Sequence, residues 1–158
     1  MRSFTEDQVI FRDAYRKFIN SEIAPHMEEW REAGIVDRSA FKKAGNLGFL
    51  MIWPEAKYGG MGDSDFRYEQ IIIEETGRAG CKGWFNTLHS RLVGTYFKRC
   101  GTEEQRERFL PKCVSGDTIL AIAMTEPGAG SDLAGMRTTA EDKGDHFLLK
   151  GSKTYISN

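Results

Sequence analysis

The stretch Ala123–Gly135, AMTEPGAGSDLAG, holds the residues of this chain best suited to chemistry. Thr125 and Ser131 bring hydroxyls, Glu126 and Asp132 bring carboxylates, and Gly128-Ala129-Gly130 brings main chain that no large side chain screens. Consecutive bare amides form a concave donor surface for an anion, and Ser131 adds a hydroxyl beside it. The same residues also read as a tight structural turn whose two carboxylates are merely solvated. A dinucleotide fingerprint of the G-x-G-x-x-G kind fails, because Leu133 stands at its third glycine and no long amphipathic helix comes after it. A P-loop fails as well, since no Gly-Lys-Ser/Thr closes the spacing.

The elements that must carry this loop change character along the chain. Thr5-Glu6-Asp7-Gln8 is a capping box, and Ile10, Phe11, Ala14, Tyr15, Phe18, Ile19 and Ile23 recur after it at helical spacing. Pro25 is predicted to end or kink that helix. Asp37 caps a second helix through Phe41 and Ala44 that stops near Gly45 to Gly48, and a third runs from about Asp65 to Gly77. A fourth places Trp84, Phe85, Leu88, Leu92, Val93, Tyr96 and Phe97 on one broad face, with His89 and Ser90 beside it. A histidine there reads more readily as satisfied or solvated than as catalytic. Thr102-Glu103-Glu104-Gln105 opens a fifth, short helix that Pro111 disturbs.

The period then switches. Ile119 to Met124 is an apolar run of strand length, and Arg137–Glu141 and His146–Lys150 flank the hairpin signal Asp142-Lys143-Gly144-Asp145. Lys153 to Ser157 alternates as a third strand would. Five helices and then three strands predict an α+β chain, not a βαβ repeat: an all-α domain over 1–117 and the beginning of an antiparallel β domain over 118–158. A sheet this small cannot cover its own face, so the chain is expected to be a piece of something larger.

Composition narrows the function classes. Hydrophobic residues make up 40% and charged residues 28%, enough apolar material for a buried core. A formal net charge of −1 argues against nucleic acid as a partner, since phosphate neutralisation needs a basic excess. No apolar run reaches the roughly 20 residues that span a bilayer. Cys81, Cys100 and Cys113 lack metal-ligand spacing, and MRSFTEDQ has no apolar core of a secretory leader. Reduced thiols and a cytoplasmic location are the expectation.

Several segments together resemble the flavin-dependent acyl-CoA dehydrogenases, the long-chain members in particular. Ala123 to Gly135 is similar to that family's signature, and Pro54-Glu55 with Tyr58-Gly59-Gly60-Met61-Gly62 resembles its loop between early helices. Gly101 to Gln105 and Phe109-Leu110-Pro111 resemble the stretch leading into its β domain, and Lys153 to Asn158 the segment where that domain meets the flavin ring. The resemblance implies FAD as cofactor and an acyl-CoA substrate desaturated between its α and β carbons. It places Ile122 to Thr125 along the isoalloxazine, with the Met124 backbone and Thr125 hydroxyl on its polar edge. It places Gly130 and Ser131 at the pyrophosphate, with Ser131 also near the acyl-CoA. Tyr155 would pack on the ring system, beside Ile156, and Ser157 would offer a donor near the reactive nitrogen. Family members often carry tryptophan in place of Tyr155 and threonine in place of Ser157. Glu126 has a structural role in that family, and Asp132 is expected to stabilise the turn.

The family's catalytic carboxylate lies in a C-terminal α bundle that is absent from this chain, so no catalytic residue is assigned here and the chain alone is expected to have no turnover. An electron-transferring flavoprotein as acceptor and a homotetramer complete what the resemblance implies. Other readings are a flavin acyl-CoA oxidase, and a non-catalytic helical module that assembles through its fourth-helix face. Trp84, Phe85 and Leu88 read as core, with lining of the acyl tunnel as the alternative.

Overall fold

The computed structural model describes residues 3–62 and 65–156. The chain divides into two compact units, Met1–Leu120 and Ala121–Asn158. The first is helical. Helix α1, Glu6–Phe18, starts at the expected capping box, where the Thr5 hydroxyl accepts from the Gln8 N–H and the Gln8 side chain accepts from the Thr5 N–H. Asp37 and Asp65 cap α3, Arg38–Asn46, and α4, Phe66–Arg78, and Thr102 with Gln105 forms a second capping box at α6, Glu103–Val114.

At Pro25 the first helix gives way to a new turn, as an end or kink there predicts. A π-turn over Ile19–Ile23 closes with the Ala24 N–H donating to the Ile19 carbonyl, and a 3-10 turn, Ala24–His26, leads directly into α2, Met27–Ala33. The proline enters at the start of a new turn, where its missing N–H costs no ladder bond. Gly34, at φ +71°, then terminates α2. Pro111 is likewise absorbed, and α6 runs on to Val114.

The fourth helical segment departs from its expected face. A π-turn over Leu88–Val93 precedes α5, Gly94–Cys100, and rotates the pattern. His89 and Ser90 point into the core, whereas Leu92 and Tyr96 are about half exposed. One core cluster joins Tyr15, Phe18 and Ile19 to Phe41, Phe49, Ile72 and Trp84. Phe49 is its centre, with Phe11 and Tyr15 approaching edge-on at 5.4 and 5.1 Å between centroids. Helices α1 and α4 are also tied by a two-pronged pair in which Arg16 Nε and Nη2 donate to Glu75 at 2.8 and 3.0 Å.

After α6 the chain turns against α3 at very short range. A Cβ on Gly116, which sits at φ +78°, would lie 2.3 Å from the Phe41 carbonyl oxygen. Both the left-handed backbone and the steric contact demand glycine. Gly116→Ala is therefore expected to cost about 3 kcal/mol, read as a lower urea midpoint at unchanged slope. A cost below about 1 kcal/mol would show that the turn relaxes freely.

The second unit contains an antiparallel hairpin, β1 (Thr139–Asp142) and β2 (Phe147–Lys150), in the register Thr139 opposite Lys150 through Asp142 opposite Phe147. Its turn is closed by the Lys143 N–H donating to the His146 carbonyl at 2.9 Å, with Gly144 at φ +92°. The strand expected over Ile119–Met124 does not form a ladder: the N–H groups of Ala121 to Thr125 have no acceptor among the described residues. The segment from Lys153 is also not a regular strand among the described residues: Tyr155 takes φ +54°, and the Thr154 N–H alone among them bonds across, to the Thr125 carbonyl at 3.0 Å. Period-2 sequence provides the side-chain pattern, but a strand is a paired element, and among the described residues the one main-chain bond between these segments is Thr154 to Thr125.

Candidate functional site

Glu126 and Ala129 exchange both main-chain hydrogen bonds, at 3.0 and 3.1 Å, and so close a two-residue turn over Pro127-Gly128. Ala129 is buried beneath the turn, while Gly128, Gly130 and Ser131 face outward. Neither Gly128 nor Gly130 has a positive φ, and a Cβ on either would meet nothing within 4 Å. Nothing among the described residues therefore requires glycine at these two positions. Their consequence is bare main chain: the N–H groups of Gly128, Gly130, Ser131 and Asp132 have no acceptor among the described residues. The Thr125 and Ser131 hydroxyls are likewise without a hydrogen-bond partner among the described residues. Asp132 folds the next turn, its carboxylate and carbonyl both accepting from the Gly135 N–H.

Glu126 is the structural centre of this unit. It is nearly buried, and its carboxylate accepts from the Arg137 N–H at 2.7 Å, the Thr138 N–H at 3.0 Å, the Thr138 hydroxyl and Lys153 Nζ at 3.0 Å. These donors hold the carboxyl at a pKa of about 2, the Arg137 amide contributing most, then the Thr138 hydroxyl and the Lys153 ammonium. A carboxylate held so low is mismatched as a proton acceptor near neutrality. The reading of Glu126 as merely solvated is corrected: it staples the glycine loop to the approach of β1 and to the segment before Tyr155. Lys153 completes the staple by donating to the Met124 carbonyl at 3.0 Å.

Tyr155 is 91% exposed at φ +54°, a conformation that costs a tyrosine about 1–2 kcal/mol. An aromatic ring held outward on strained backbone has no packing explanation among the described residues. Ile156 is partly exposed beside it. No helix among the described residues is long and apolar enough to cross a membrane, and no group of three or more His, Cys, Asp or Glu among them could hold a metal ion.

The family model for the acyl-CoA dehydrogenase N-terminal domain matches residues 5–117, and that for the middle domain matches residues 121–158. The chain belongs to the acyl-CoA dehydrogenase family. Long-chain specific acyl-CoA dehydrogenase of Mus musculus is 45% identical over 157 residues, which are 99% of this chain but 36% of that protein. The chain thus spans about a third of the length of this curated relative. Among solved structures, an acyl-CoA dehydrogenase from Geobacillus kaustophilus superposes with a TM-score of 0.92 at 46% identity, over 98% of this chain and 40% of that one. An acyl-CoA dehydrogenase complexed with FAD from Bacillus anthracis gives 0.85 at 30% identity, over 98% of this chain and 27% of that one.

Within this acyl-CoA dehydrogenase segment, Ile122, Met124, Thr125, Gly130 and Ser131 lie on one continuous stretch. The Thr154–Thr125 bond and the Lys153 contacts bring Tyr155 and Ile156 alongside its end. Ser157 lies outside the described residues. Sequence reasoning assigned no role to Lys153, Arg137 or Thr138. Their partner Glu126 is 11 to 27 residues away. A lysine beginning an otherwise apolar and hydroxyl-bearing segment is the one signal that could have pointed to a buried carboxylate.

Proposed function

We propose that this chain forms the flavin-facing part of an FAD-dependent acyl-CoA dehydrogenase that desaturates acyl-CoA thioesters at the α,β position. The observation that carries the proposal is the outward-facing Gly128 to Asp132 main chain. The amides of Gly128, Gly130, Ser131 and Asp132 are unpaired among the described residues, and the two glycines are kept bare for no reason that the described residues supply. That donor set fits a pyrophosphate, which needs several amides on one side and no side chain in the way. The unpaired amides of Ala121 to Thr125 and the Thr125 hydroxyl fit the polar edge of a flavin ring, and the exposed Tyr155 ring supplies an apolar face. Family membership and the FAD-bound relative from Bacillus anthracis support the same reading.

When bound, FAD supplies the acceptor for the hydride that leaves the β carbon. The residues of this chain bind and orient. Gly130 and Ser131 would hold the pyrophosphate, with Ser131 also meeting the acyl-CoA. The Met124 N–H and Thr125 hydroxyl would place donors where negative charge grows on reduction, and such donors cost no reorganisation when already fixed. Glu126 keeps these groups in place and takes no proton. No residue of this chain is proposed as the base that removes the α proton, and the chain alone is proposed to turn nothing over. An electron-transferring flavoprotein as acceptor and a homotetrameric assembly belong to the same proposal.

Gly130→Val tests the reading at a position where an added Cβ meets nothing within 4 Å. FAD titration monitored by flavin fluorescence is expected to show saturable binding to the wild type. The variant should bind at least about tenfold more weakly at unchanged Tm. No binding by the wild type, or equal binding by both, overturns the assignment.

A further inference from the structure

We propose that His89 is the positioning residue of the flavin-facing stretch: from the π-turn in the core it anchors the main chain at Leu120, two residues before Ile122. The Leu120 N–H donates to His89 Nδ1 at 3.0 Å, so that nitrogen carries no proton. Nε2 therefore carries it and donates to the Cys113 carbonyl of α6 at 3.0 Å. Both ring nitrogens are spent on main-chain groups, and one tautomer alone satisfies both. The side chain is fully buried, with Phe41 of α3 edge-on at a centroid distance of 5.7 Å. Burial pushes the imidazole below its ordinary pKa, which keeps the neutral form in place.

The base from which His89 reaches is itself fixed from the other side. Ser90, the next residue of the π-turn, accepts from the Met51 N–H at 3.0 Å and donates to Asn86 at 2.7 Å. Asn86 Nδ2 donates to the Phe49 carbonyl at 2.9 Å, and Trp53 Nε1 donates to the Ser90 carbonyl at 3.1 Å. A buried polar network with every member satisfied is rigid. His89 is thus not a histidine that happens to be buried but the outgoing arm of an over-determined junction.

The importance of this anchor lies in the chain just beyond it. The Thr118 N–H donates to the Lys112 carbonyl and the Leu120 N–H to His89, and after that the five amides from Ala121 to Thr125 are unpaired among the described residues. Leu120 is the last tethered amide before the stretch whose donors would face the ring. Freeing it adds main-chain freedom that ligand binding must then remove. The consequence for the ligand rests on the proposed flavin site; the anchor itself does not.

The test compares His89→Leu and His89→Gln with the wild type in the full chain. Glutamine can still accept from one amide and donate to one carbonyl through its side-chain amide. In His89→Leu the Leu120 amide is expected to exchange with solvent about a hundredfold faster than in the wild type, after normalisation to Ile72 in the same sample, and His89→Gln should recover most of that protection. FAD affinity is expected to fall about tenfold in the leucine variant and to recover with glutamine. Leu120 exchange that rises only in step with Ile72 would mark His89 as general core packing and overturn the proposal. Should the leucine variant not fold, the wild-type ring decides: a nitrogen spectrum at neutral pH must show Nδ1 unprotonated, and a protonated Nδ1 refutes the anchor. Wild-type protein that takes up no FAD sinks the flavin site and leaves the exchange result to judge His89 alone.

Discussion

Trp84→Ala is expected to remove about 3–5 kcal/mol of stability from the helical unit, the range for truncating a large buried aromatic side chain. Trp84 is 3% exposed, and its ring lies 4.6 Å from Phe41 and 6.3 Å from Phe18 between centroids. Its Nε1 donates to the Tyr15 hydroxyl at 3.3 Å, and that hydroxyl is also bonded to Thr76 at 3.0 Å. The substitution therefore opens a cavity between α1 and α3 and withdraws one partner from a buried phenol. Surrounding side chains cannot collapse into the space, because Phe18, Phe41 and Tyr15 are each held by other aromatic contacts. A domain has only about 5–15 kcal/mol to lose, so the variant is expected to be partly unfolded at 37 °C. Urea denaturation gives the number. Sequence reasoning left open whether Trp84 lines an acyl tunnel. A variant of wild-type stability whose acyl-length preference has shifted, in the protein of full family length, would favour the tunnel over the core.

How much of this was legible in the sequence depended on the range of the interactions. Helix starts were readable because capping is local: Thr5 with Gln8, Thr102 with Gln105, Asp37 with Ser39 and Asp65 with Arg67 act within three residues. The hairpin was readable for the same reason, yet β1 begins two residues later than the pattern implied. The Arg137 and Thr138 amides are taken by Glu126 instead of by a neighbouring strand. The π-turns were not readable. One extended the first helical segment to Ile23, just short of Pro25, and the other moved His89 and Ser90 inward while turning Leu92 and Tyr96 out. A π-turn inserts one residue into the helical period, and no single side chain announces it; tertiary contacts such as Ser90 to Met51 select it. In the loop, residue types and resemblance identified the donors, but not the device that holds them. Glu126 and Lys153 meet across 27 residues, and either alone looks like a solvated charge.

Glu126→Gln is the sharpest test of that device. The carboxylate accepts from four donors and offers none, which suits a site where two amides, a hydroxyl and an ammonium converge. A glutamine keeps the shape but replaces one acceptor by an NH₂ group, which must point at another donor and leaves the Lys153 ammonium without its counter-charge. The expected result is a loosened second unit with an intact helical one. Amide protection around Thr138 should drop while Ile72 stays as in the wild type, and FAD affinity should fall about 10- to 100-fold. The pH dependence separates charge from shape. The carboxyl is depressed in the folded state, so its contribution is complete above its ordinary pKa of 4.5 and is lost as pH falls from there toward about 2. Wild-type protein should therefore lose its Thr138 protection on acidification through that window, and Glu126→Gln should show no such step. A variant that retains both the protection and the acid step would mean that the staple does not depend on the carboxylate. The proposed donor surface would then be held by the turn alone, with the Glu126–Ala129 bond pair as its internal support.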